Sequence, residues 1–470
     1  MKKLVAMLLS LMMLAAVASV AFAAEVPEGY PALILDKDGK VVDLGGMEII
    51  VADYWSAADG TPNPATDAAT EAQYEYRDWI QKTYNFKISQ RGLSDWAGNP
   101  EAFLNFASTG GAENYMWILR PDCVATPMNS GLLYDLASLD CLDFVNDKQY
   151  NKAIVELMSK GDKVYGASFG TIEPRQVVFF NTRLVEEAGI DPDSIYDLQK
   201  NNEWTWDKFV ELLKACTRDT DNDGVIDSYG MASNTTDVFL AAVANNNGKF
   251  FDFVDGKYVC TAQSDETVEA LNWAIETLQS YQMPQPADSQ WNWFFPAFKN
   301  GQAAFSVIQS YSANVGSDLD GMEDDFGMVA FPTGPKAQPG DYKTVGSENI
   351  HVMPNVYDAD RAWKIAFAWR LWNAETPGYT EADDPDSWMS GFYNRFRDDR
   401  AVEETYAMLR QPEHMANAVS RLFGSDNDVL GQDFFWNLSG YTVTVAEAIE
   451  AKMPAWQNYL DIANGITKAE

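Results

Sequence analysis

Histidine and cysteine are scarce in this 470-residue chain, which contains two His and four Cys. The cysteines show no C-x-x-C spacing, and His351 and His414 are isolated from them in the sequence. Zinc and thiol redox sites normally use closely spaced ligands of these types, so the sequence argues against both. The chain also lacks H-E-x-x-H, a signature of zinc hydrolases, and its one G-x-S-x-G match, residues 166–170, does not lie on a predicted strand-to-helix turn of the kind that forms a nucleophile elbow.

The four cysteines leave their pairing open. Cys123, Cys141, Cys216 and Cys260 allow three fully paired connectivities, and an exported protein could form any of them. Cys216 follows Phe209, Leu212 and Leu213 at helical spacing, which equally favours a buried free thiol on an apolar helix face.

Positive charge is in short supply. There are 34 Lys and Arg against 69 Asp and Glu, which gives a net charge of −35. A field of that sign repels nucleic acid and anionic lipid, so neither is expected as a partner. Acidity also keeps exported proteins soluble. The charge therefore indicates which partners are excluded more than which partner is bound.

Long apolar runs are missing outside the N-terminus. Lys2 and Lys3 precede the apolar residues 4–20, and Ala21 and Ala23 offer the small residues that a signal peptidase reads. We expect a signal peptide over residues 1–23 and an exported protein, periplasmic or extracellular. An uncleaved membrane anchor is the alternative reading of the same run, and it would tether the protein to the membrane.

The remaining length exceeds what one hydrophobic core usually organises, so two lobes are expected. Residues 47–55 and 115–119 read as buried strands, with a further strand at Phe86–Ser89. Ala72, Tyr76, Trp79 and Ile80 form one helical face, and a second helix is predicted near Pro100–Ser108. The β-α-β-α-β order predicts a parallel sheet with a crevice at its strand ends.

The second half of the chain continues this mixture of strands and helices. Thr205 is predicted to cap the helix that carries Cys216, and a strand is predicted at Gln176–Phe180. Further strands are predicted over residues 303–308, 326–332 and 350–354, and further helices over residues 265–280 and 359–373.

The stretch "DTDNDGVIDSYG", residues 219–230, copies the first half of an EF-hand loop. Asp219, Asp221 and Asp223, the Val225 carbonyl and Asp227 are the oxygen ligands expected for a structural calcium ion. The bidentate Glu of the twelfth place is replaced by Gly230, so a solvated acidic turn is the alternative, and a regulatory calcium sensor is disfavoured.

Several motifs together resemble a known family. They are "VYGASFG" with "VVFFNTRLVEEAGIDP", "EWTWDKFVELLKACTRDTDNDGVIDSYGMA", "FKNGQAAFSVIQSY" and "DFGMVAFPTGP". In this order they resemble the extracellular solute-binding proteins, family 1, that serve carbohydrate ABC importers. A loop like 219–230 recurs in such relatives.

The resemblance implies an α/β, two-lobed periplasmic-binding-protein-like fold of type II, with hinged lobes and a ligand cleft between them. Lobe 1 would comprise residues 24–170 with 344–385 returning to it, and lobe 2 residues 171–343 with 386–470. The chain would cross between the lobes near 165–175, 340–348 and 380–390. The implied function is capture of a sugar or oligosaccharide for an ABC transporter membrane permease, by a monomer that needs no cofactor and is not an enzyme.

A carbohydrate needs hydrogen-bonding partners for its hydroxyls and aromatic rings for its C–H faces. Residues just past strand ends and at the crossings are therefore the candidates for the ligand site. They are Trp55, Asp59, Trp96, Arg120, Glu173, Arg175, Trp291, Trp293, Tyr311 and Glu348. The same tryptophans could be core residues, and Arg120 could form a surface ion pair with Asp122.

Two other functions fit the composition. A secreted glycoside hydrolase also needs aromatic residues and a pair of carboxyl groups. A surface adhesin or sensor partner could use the same closing lobes to dock on a receptor.

Overall fold

A computed structural model describes residues 26–65, 67–120, 123–170, 173–255, 257–347, 349–380, 382–383, 385–416, 430 and 432–464. The predicted signal peptide lies outside these residues. Within them, no helix combines the length and the apolar character needed to cross a membrane.

The strands are short and spread along the whole chain. In chain order they are β1 Met47–Asp53, β2 Phe86–Gly92, β3 Tyr115–Leu119, β4 Ser159–Lys160, β5 Lys163–Val164, β6 Glu173–Pro174, β7 Gln176–Asn181, β8 Tyr229–Met231, β9 Phe251–Val254, β10 Lys257–Cys260, β11 Ala303–Gln309, β12 Phe326–Val329, β13 Thr344–Ser347, β14 Ile350–Val352 and β15 Met415–Ala416.

Helices alternate with these strands. They are α1 Ala68–Thr83, α2 Asn99–Thr109, α3 Ala125–Asn129, α4 Lys152–Leu157, α5 Thr182–Glu187, α6 Pro192–Lys200, α7 Trp206–Cys216, α8 Thr235–Ala244, α9 Asp265–Tyr281, α10 Phe294–Lys299, α11 Ala359–Trp372, α12 Ser390–Phe396, α13 Ala407–Leu409, α14 Gln432–Ser439 and α15 Val445–Ala463. A π-helical turn, Ala401–Tyr406, precedes α13, and single turns of 3₁₀ helix lie at Leu136–Ser138, Ser310–Ala313, Ser387–Met389 and Pro412–His414.

The first sheet has the order β14-β3-β1-β2 among the described residues. β1 pairs in parallel with both β2 and β3, which confirms the parallel sheet predicted from the alternating strands and helices. β14 returns from much later in the chain and pairs antiparallel with β3. The carboxyl ends of β1, β2 and β3 consequently lie at one edge.

The second sheet, in the order β12-β7-β11-β8 within the described ranges, has a mixed pattern. β7 lies between β11 and β12 and is antiparallel to both, while β8 pairs in parallel with β11. All six residues of β7 are buried, as expected for a central strand covered on both faces.

A small third sheet joins the two larger ones. β13 pairs antiparallel with β6 and parallel with β15. β6 leads directly into β7 of the second sheet, whereas β13 leads into β14 of the first. Two passages of the chain between the larger sheets therefore run side by side, and we call β6 and β13 the crossing strands.

The buried apolar residues form separate clusters for the two larger sheets. One large cluster draws on residues 177–342 and 396–460, and two others draw on residues 42–167 and 350–371. We call the part built on the first sheet the first lobe and the part built on the second sheet the second lobe. Trp369 in the first lobe and Trp204 in the second are fully buried, and each such side chain contributes about 1.5–3 kcal/mol or more to stability.

Some local predictions need correction. β2 continues to Gly92 rather than ending at Ser89, because it pairs with β1 along its full length. β12 ends at Val329, since the next amide, that of Ala330, donates to the side chain of Gln199 instead of continuing the ladder. Thr205 does stand at the N-terminus of α7 but its hydroxyl makes no capping hydrogen bond. The main chain there pairs with Thr333, whose carbonyl accepts from the Trp206 amide.

Cys141, Cys216 and Cys260 are free thiols in this structure. Cys216 is buried on the apolar face of α7, where burial raises the pKa of its thiol to about 12. The thiol therefore stays protonated at neutral pH and acts as a small apolar side chain.

Candidate functional site

The turn after β1 is held by one buried carboxylate. Asp53 is fully buried, and its oxygens accept hydrogen bonds from the main-chain amides of Trp55 and Ser56, from the Ser56 hydroxyl and from the Gln90 side chain, at 2.6–3.2 Å. These bonds fix the main chain so that the Trp55 ring projects outward, half exposed. Its edge meets the ring of Tyr54, with centroids 4.8 Å apart.

A tryptophan and an arginine form a second surface at the same edge of the first sheet. Arg120, directly after β3, is buried, and its guanidinium lies 3.4 Å above the centroid of the Trp96 ring. The same guanidinium donates to the Trp96 carbonyl at 3.0 Å. One face of Trp96 is thus covered by a cation, which fixes the ring by cation–π attraction while 46 % of the residue stays exposed.

Tyr54 connects this edge to the crossing strands. Its hydroxyl donates to the side-chain oxygen of Asn349 at 2.8 Å. Asn349 directly precedes β14 and lies one residue beyond Glu348, a predicted site residue that lies outside the described residues. Ser347 pairs with Glu173, and two residues span at most about 7 Å, so the edge of the first lobe comes close to the first crossing strand.

Three predicted residues come together where β6 enters the second lobe. The Arg175 guanidinium lies 3.4 Å from the Glu173 carboxylate and 5.0 Å from the centroid of the Tyr311 ring. Tyr311 is brought there by its short helical turn, because the Ser310 amide donates to the Arg175 carbonyl at 2.8 Å. Burial, followed by the charge of Asp237, raises the pKa of Tyr311 to about 12, so the ring carries a neutral hydroxyl.

More aromatic and cationic side chains surround this group. The Trp388 ring lies under the guanidinium of Arg410, 3.9 Å from it, and packs against Tyr406 with centroids 5.9 Å apart. Burial raises the pKa of Tyr406, whose electrostatic neighbours include Glu173, Arg175 and Arg410. The sequence gives no signal for these residues, because they lie in short helical turns late in the chain, away from any predicted strand end.

Other predicted residues are not drawn into these groups. Asp59 accepts from the Thr61 amide at 2.9 Å, a bond that lowers the pKa of its carboxyl and stabilises its own loop. Trp291 is 68 % exposed, and Trp293 packs partly against the core of the second lobe. The ring contacts of both tryptophans are with Phe294.

The acidic loop gathers some of its predicted ligands. Carboxylate oxygens of Asp219, Asp221 and Asp227 lie within 4.8 Å of one another. One Asp219 oxygen is buried with no hydrogen-bond partner, which suits a cation ligand. Asp223 is not in this group and instead accepts from the Val225 amide at 2.7 Å.

We take the groups at the sheet edge and at the crossings together as the candidate ligand site and call this site the groove. They are Tyr54, Trp55, Trp96, Arg120 and Asn349 on the first lobe and Glu173, Arg175, Tyr311 and Trp388 on the second. The groove offers aromatic rings beside hydrogen-bond donors and acceptors that are already fixed by protein contacts. Such a surface recognises a ligand with both apolar faces and many hydroxyl groups.

Solved structures with the same fold are numerous, although their sequences differ widely from this one. The GacH receptor of Streptomyces glaucescens, solved unliganded and with acarbose, is 14 % identical, with a TM-score of 0.58 over 88 % of this chain and 99 % of that chain. The Listeria monocytogenes ABC substrate-binding protein in complex with cycloalternan is 18 % identical, with a TM-score of 0.60 over 90 % of this chain and 100 % of that chain.

A third structure shows that the same fold accepts other ligands. UgpB from Mycobacterium tuberculosis, in complex with glycerophosphocholine, is 15 % identical, with a TM-score of 0.61 over 89 % of this chain and 99 % of that chain. These similarities confirm the two-lobed α/β fold. No curated protein sequence gave a significant match.

The family comparison agrees with the motifs quoted from the sequence. Residues 134–366 match the model of the bacterial extracellular solute-binding proteins. The match contains β6, β7, β11, β13 and β14, and with them both crossing strands and much of the groove. The chain belongs to the bacterial extracellular solute-binding protein family.

Proposed function

We propose that this protein captures a sugar or oligosaccharide in the groove and delivers it to the membrane permease of an ABC importer. The observation that carries the proposal is the juxtaposition of rings and fixed polar groups on both lobes next to the crossing strands. Trp55 and Trp96 supply exposed ring surface, and Asn349, Glu173 and Arg175 supply hydrogen-bonding groups. The solved relatives bound to acarbose and cycloalternan support this ligand class.

Lobe closure is the proposed mechanism of capture. A ligand that contacts both lobes only when they are closed favours the closed form by its difference in affinity for the two forms. The paired crossing strands are the segments that would absorb the change in backbone angles. No bond of the sugar is broken in this mechanism.

A thermal-shift screen tests the proposed ligand class. A ligand that binds only the folded state raises the melting temperature in proportion to its occupancy. We expect a rise with at least one member of a panel of neutral oligosaccharides that includes maltotetraose, mannotriose, cycloalternan and acarbose. A rise with glycerophosphocholine and with none of the sugars would replace the carbohydrate by a phosphodiester, and a flat response to the whole panel would contradict the proposal.

We propose further that binding occurs without catalysis. A glycoside hydrolase remains the rival function, since the groove contains carboxyl groups beside aromatic rings. Incubation with fluorescently labelled oligosaccharides that bind in the screen should return them intact, as judged by chromatography. Release of shorter labelled products would establish an enzyme instead.

The proposed location is outside the cytoplasmic membrane, with a monomeric protein and a permease as its partner. The extracellular family supports export, and the predicted signal peptide supplies the route. Light scattering on the purified protein should return the mass of one chain. A receptor in place of a permease would make the protein an adhesin or sensor partner, which co-purification from detergent-solubilised membranes distinguishes.

We also propose a structural calcium ion in the acidic loop, held by Asp219, Asp221 and Asp227. The buried and unpartnered oxygen of Asp219 supports this proposal. Calcium should raise the melting temperature of the wild-type protein, and Asp219→Asn should remove the effect, while Asp252→Asn, on β9, should keep it. An equal calcium response in wild type and Asp219→Asn would contradict the site.

A further inference from the structure

A buried carboxylate lies directly behind the groove in the second lobe. Asp237, in the first turn of α8, is 2 % exposed. Its Oδ1 accepts hydrogen bonds from the side-chain amides of Gln176 at 2.9 Å and Gln309 at 3.3 Å. These glutamines face each other on the neighbouring strands β7 and β11, so Asp237 joins one helix to two strands of the central sheet.

Gln176 connects Asp237 to the crossing strands through further hydrogen bonds. Its side-chain oxygen accepts from the amide of Val345 at 3.1 Å, and its carbonyl accepts from the Thr344 hydroxyl at 3.2 Å. The Thr344 hydroxyl also accepts from the amide of Arg175 at 3.0 Å. The Gln176 amide group has a single useful orientation, because Asp237 requires a donor and the Val345 amide requires an acceptor.

The ionisable groups coupled to Asp237 belong to the groove. They are Arg175, whose positive charge favours the ionised carboxyl, and Tyr311, whose pKa is raised by burial and then by the charge of Asp237. The side chains that form hydrogen bonds with Asp237, those of Gln176, Gln309 and Asn234, are neutral. Burial dominates and raises the pKa of Asp237 to about 6, so at neutral pH the carboxyl is charged at a cost in folding free energy.

A buried charge that opposes folding is unexpected at a position with only a packing role. Asparagine would have nearly the same shape and could still accept from Gln176. The feature that asparagine lacks is the negative charge, which acts on Arg175 and strengthens the hydrogen bonds from both glutamines.

We propose that Asp237 is a positioning residue of the groove. Its carboxylate holds the two crossing strands together through Gln176 and holds Arg175 beside Tyr311, so that the hinge and the second-lobe wall of the groove keep one arrangement before a ligand arrives. The inference rests on the proposed function only for the identity of that ligand.

Hydrogen exchange of the unliganded full-length protein tests the proposal. In Asp237→Asn at neutral pH we expect the peptide covering residues 342–347 to exchange about fivefold faster than in wild type, the effect of losing roughly one hydrogen bond. Asp318→Asn is the matched control. Asp318 is a half-buried carboxyl of the same lobe that accepts from Ser312, and its loss should leave residues 342–347 unchanged.

A second readout separates the charge from the shape of the side chain. The melting temperature of Asp237→Asn minus that of wild type should become more positive from about pH 4 to about pH 7, because only the wild type ionises a buried carboxyl in that interval. If the variant does not fold, hydrogen exchange of the wild type at two pH values tests the same point. After correction for the intrinsic exchange rates at each pH, residues 342–347 should exchange faster at about pH 5 than at about pH 7.

The proposal is overturned if residues 342–347 exchange at the wild-type rate, if Asp318→Asn accelerates them equally, or if the acceleration extends over the whole second lobe. A melting-temperature difference that is constant with pH would equally remove the role of the charge. None of these measurements uses a sugar, so a failure of carbohydrate binding is recognised separately.

Discussion

At the scale of single residues, the groove depends on polar groups that are fixed before any ligand binds. Asp53 accepts four hydrogen bonds in the turn that carries Trp55, and Arg120 both stacks on Trp96 and donates to its carbonyl. Side chains held in this way lose little conformational entropy on binding, which favours affinity. The exposed rings are therefore part of a rigid surface.

The Trp55 ring is expected to stack on the sugar. Trp55→Ala should weaken the affinity for the oligosaccharide selected by the screen by about 1–3 kcal/mol, by analogy with stacking of nucleic-acid bases on aromatic side chains. Isothermal titration calorimetry measures the change. Trp436→Ala, which removes an equally exposed tryptophan of α14 in the second lobe, is the control and should bind as wild type does. Equal affinities of all three proteins would remove Trp55 from the site.

The protonation of His351 is expected to affect the folding stability of the protein rather than ligand binding. His351 is partly buried in the first lobe, its Nδ1 accepts from the Trp369 indole at 2.9 Å, and desolvation of the imidazole lowers its pKa to about 3. Between about pH 6.5 and about pH 3 the unfolded chain binds a proton that the folded chain does not, so stability falls as the pH falls through this window.

The size of this effect follows from the gap between the two pKa values. By pH 5 it amounts to about 2 kcal/mol, because each pH unit below about 6.5 contributes about 1.4 kcal/mol. Urea denaturation of wild type and His351→Gln at pH about 7 and about 5 measures it. The variant should lose less stability than wild type over that interval, and equal losses would mean that His351 titrates normally in the folded state.

At the scale of elements, strands were easier to predict than their pairing. The apolar runs of β1 and β3 are bounded by polar residues, and they can therefore be recognised as strands in the sequence. The antiparallel pairing of β14 with β3, and of β13 with β6, could not be predicted from local sequence patterns. The two strands of each pair are separated by more than 150 residues, and only the folding of the whole chain brings them together.

The residues around the groove likewise divide into those that the sequence pattern indicates and those that it does not. Trp55, Trp96 and Arg120 could be proposed from the sequence because residues at the carboxyl ends of parallel strands meet at one sheet edge. Asp237 was missed because it lies on a helix and reaches the crossing strands through Gln176. No periodicity or spacing signals a contact that passes through another side chain.

The packing of two turns against each other gives a test at this scale. A Cβ at Gly92, the last residue of β2, would lie 2.4 Å from the Ser56 carbonyl in the turn that carries Trp55. Gly92→Ala should displace that turn, with a loss of about 1–3 kcal/mol of stability and weaker oligosaccharide binding. Thermal unfolding and calorimetry measure both effects. Gly391→Ala, where a Cβ meets its nearest atom at 4.0 Å, is the control, and a stable, fully active Gly92→Ala protein would contradict this packing.

At the scale of the whole molecule, the separate cores allow each lobe to move as a unit. The buried clusters divide between the lobes, and among the described residues the crossing strands pair with each other at two positions, Gly346 with Pro174 and Ser347 with Glu173. A change in a few backbone angles there rotates one lobe against the other without disturbing either core. The net charge of −35 keeps such a protein soluble and disfavours polyanionic ligands, whereas a neutral sugar escapes the repulsion.

Closure on a carbohydrate is most directly tested by small-angle X-ray scattering of the protein with and without the oligosaccharide that gives the largest thermal shift. The radius of gyration should decrease when that sugar saturates the protein and should stay constant with a non-binding sugar of the same size. A radius of gyration that does not change although calorimetry shows the site to be full would contradict capture by lobe closure.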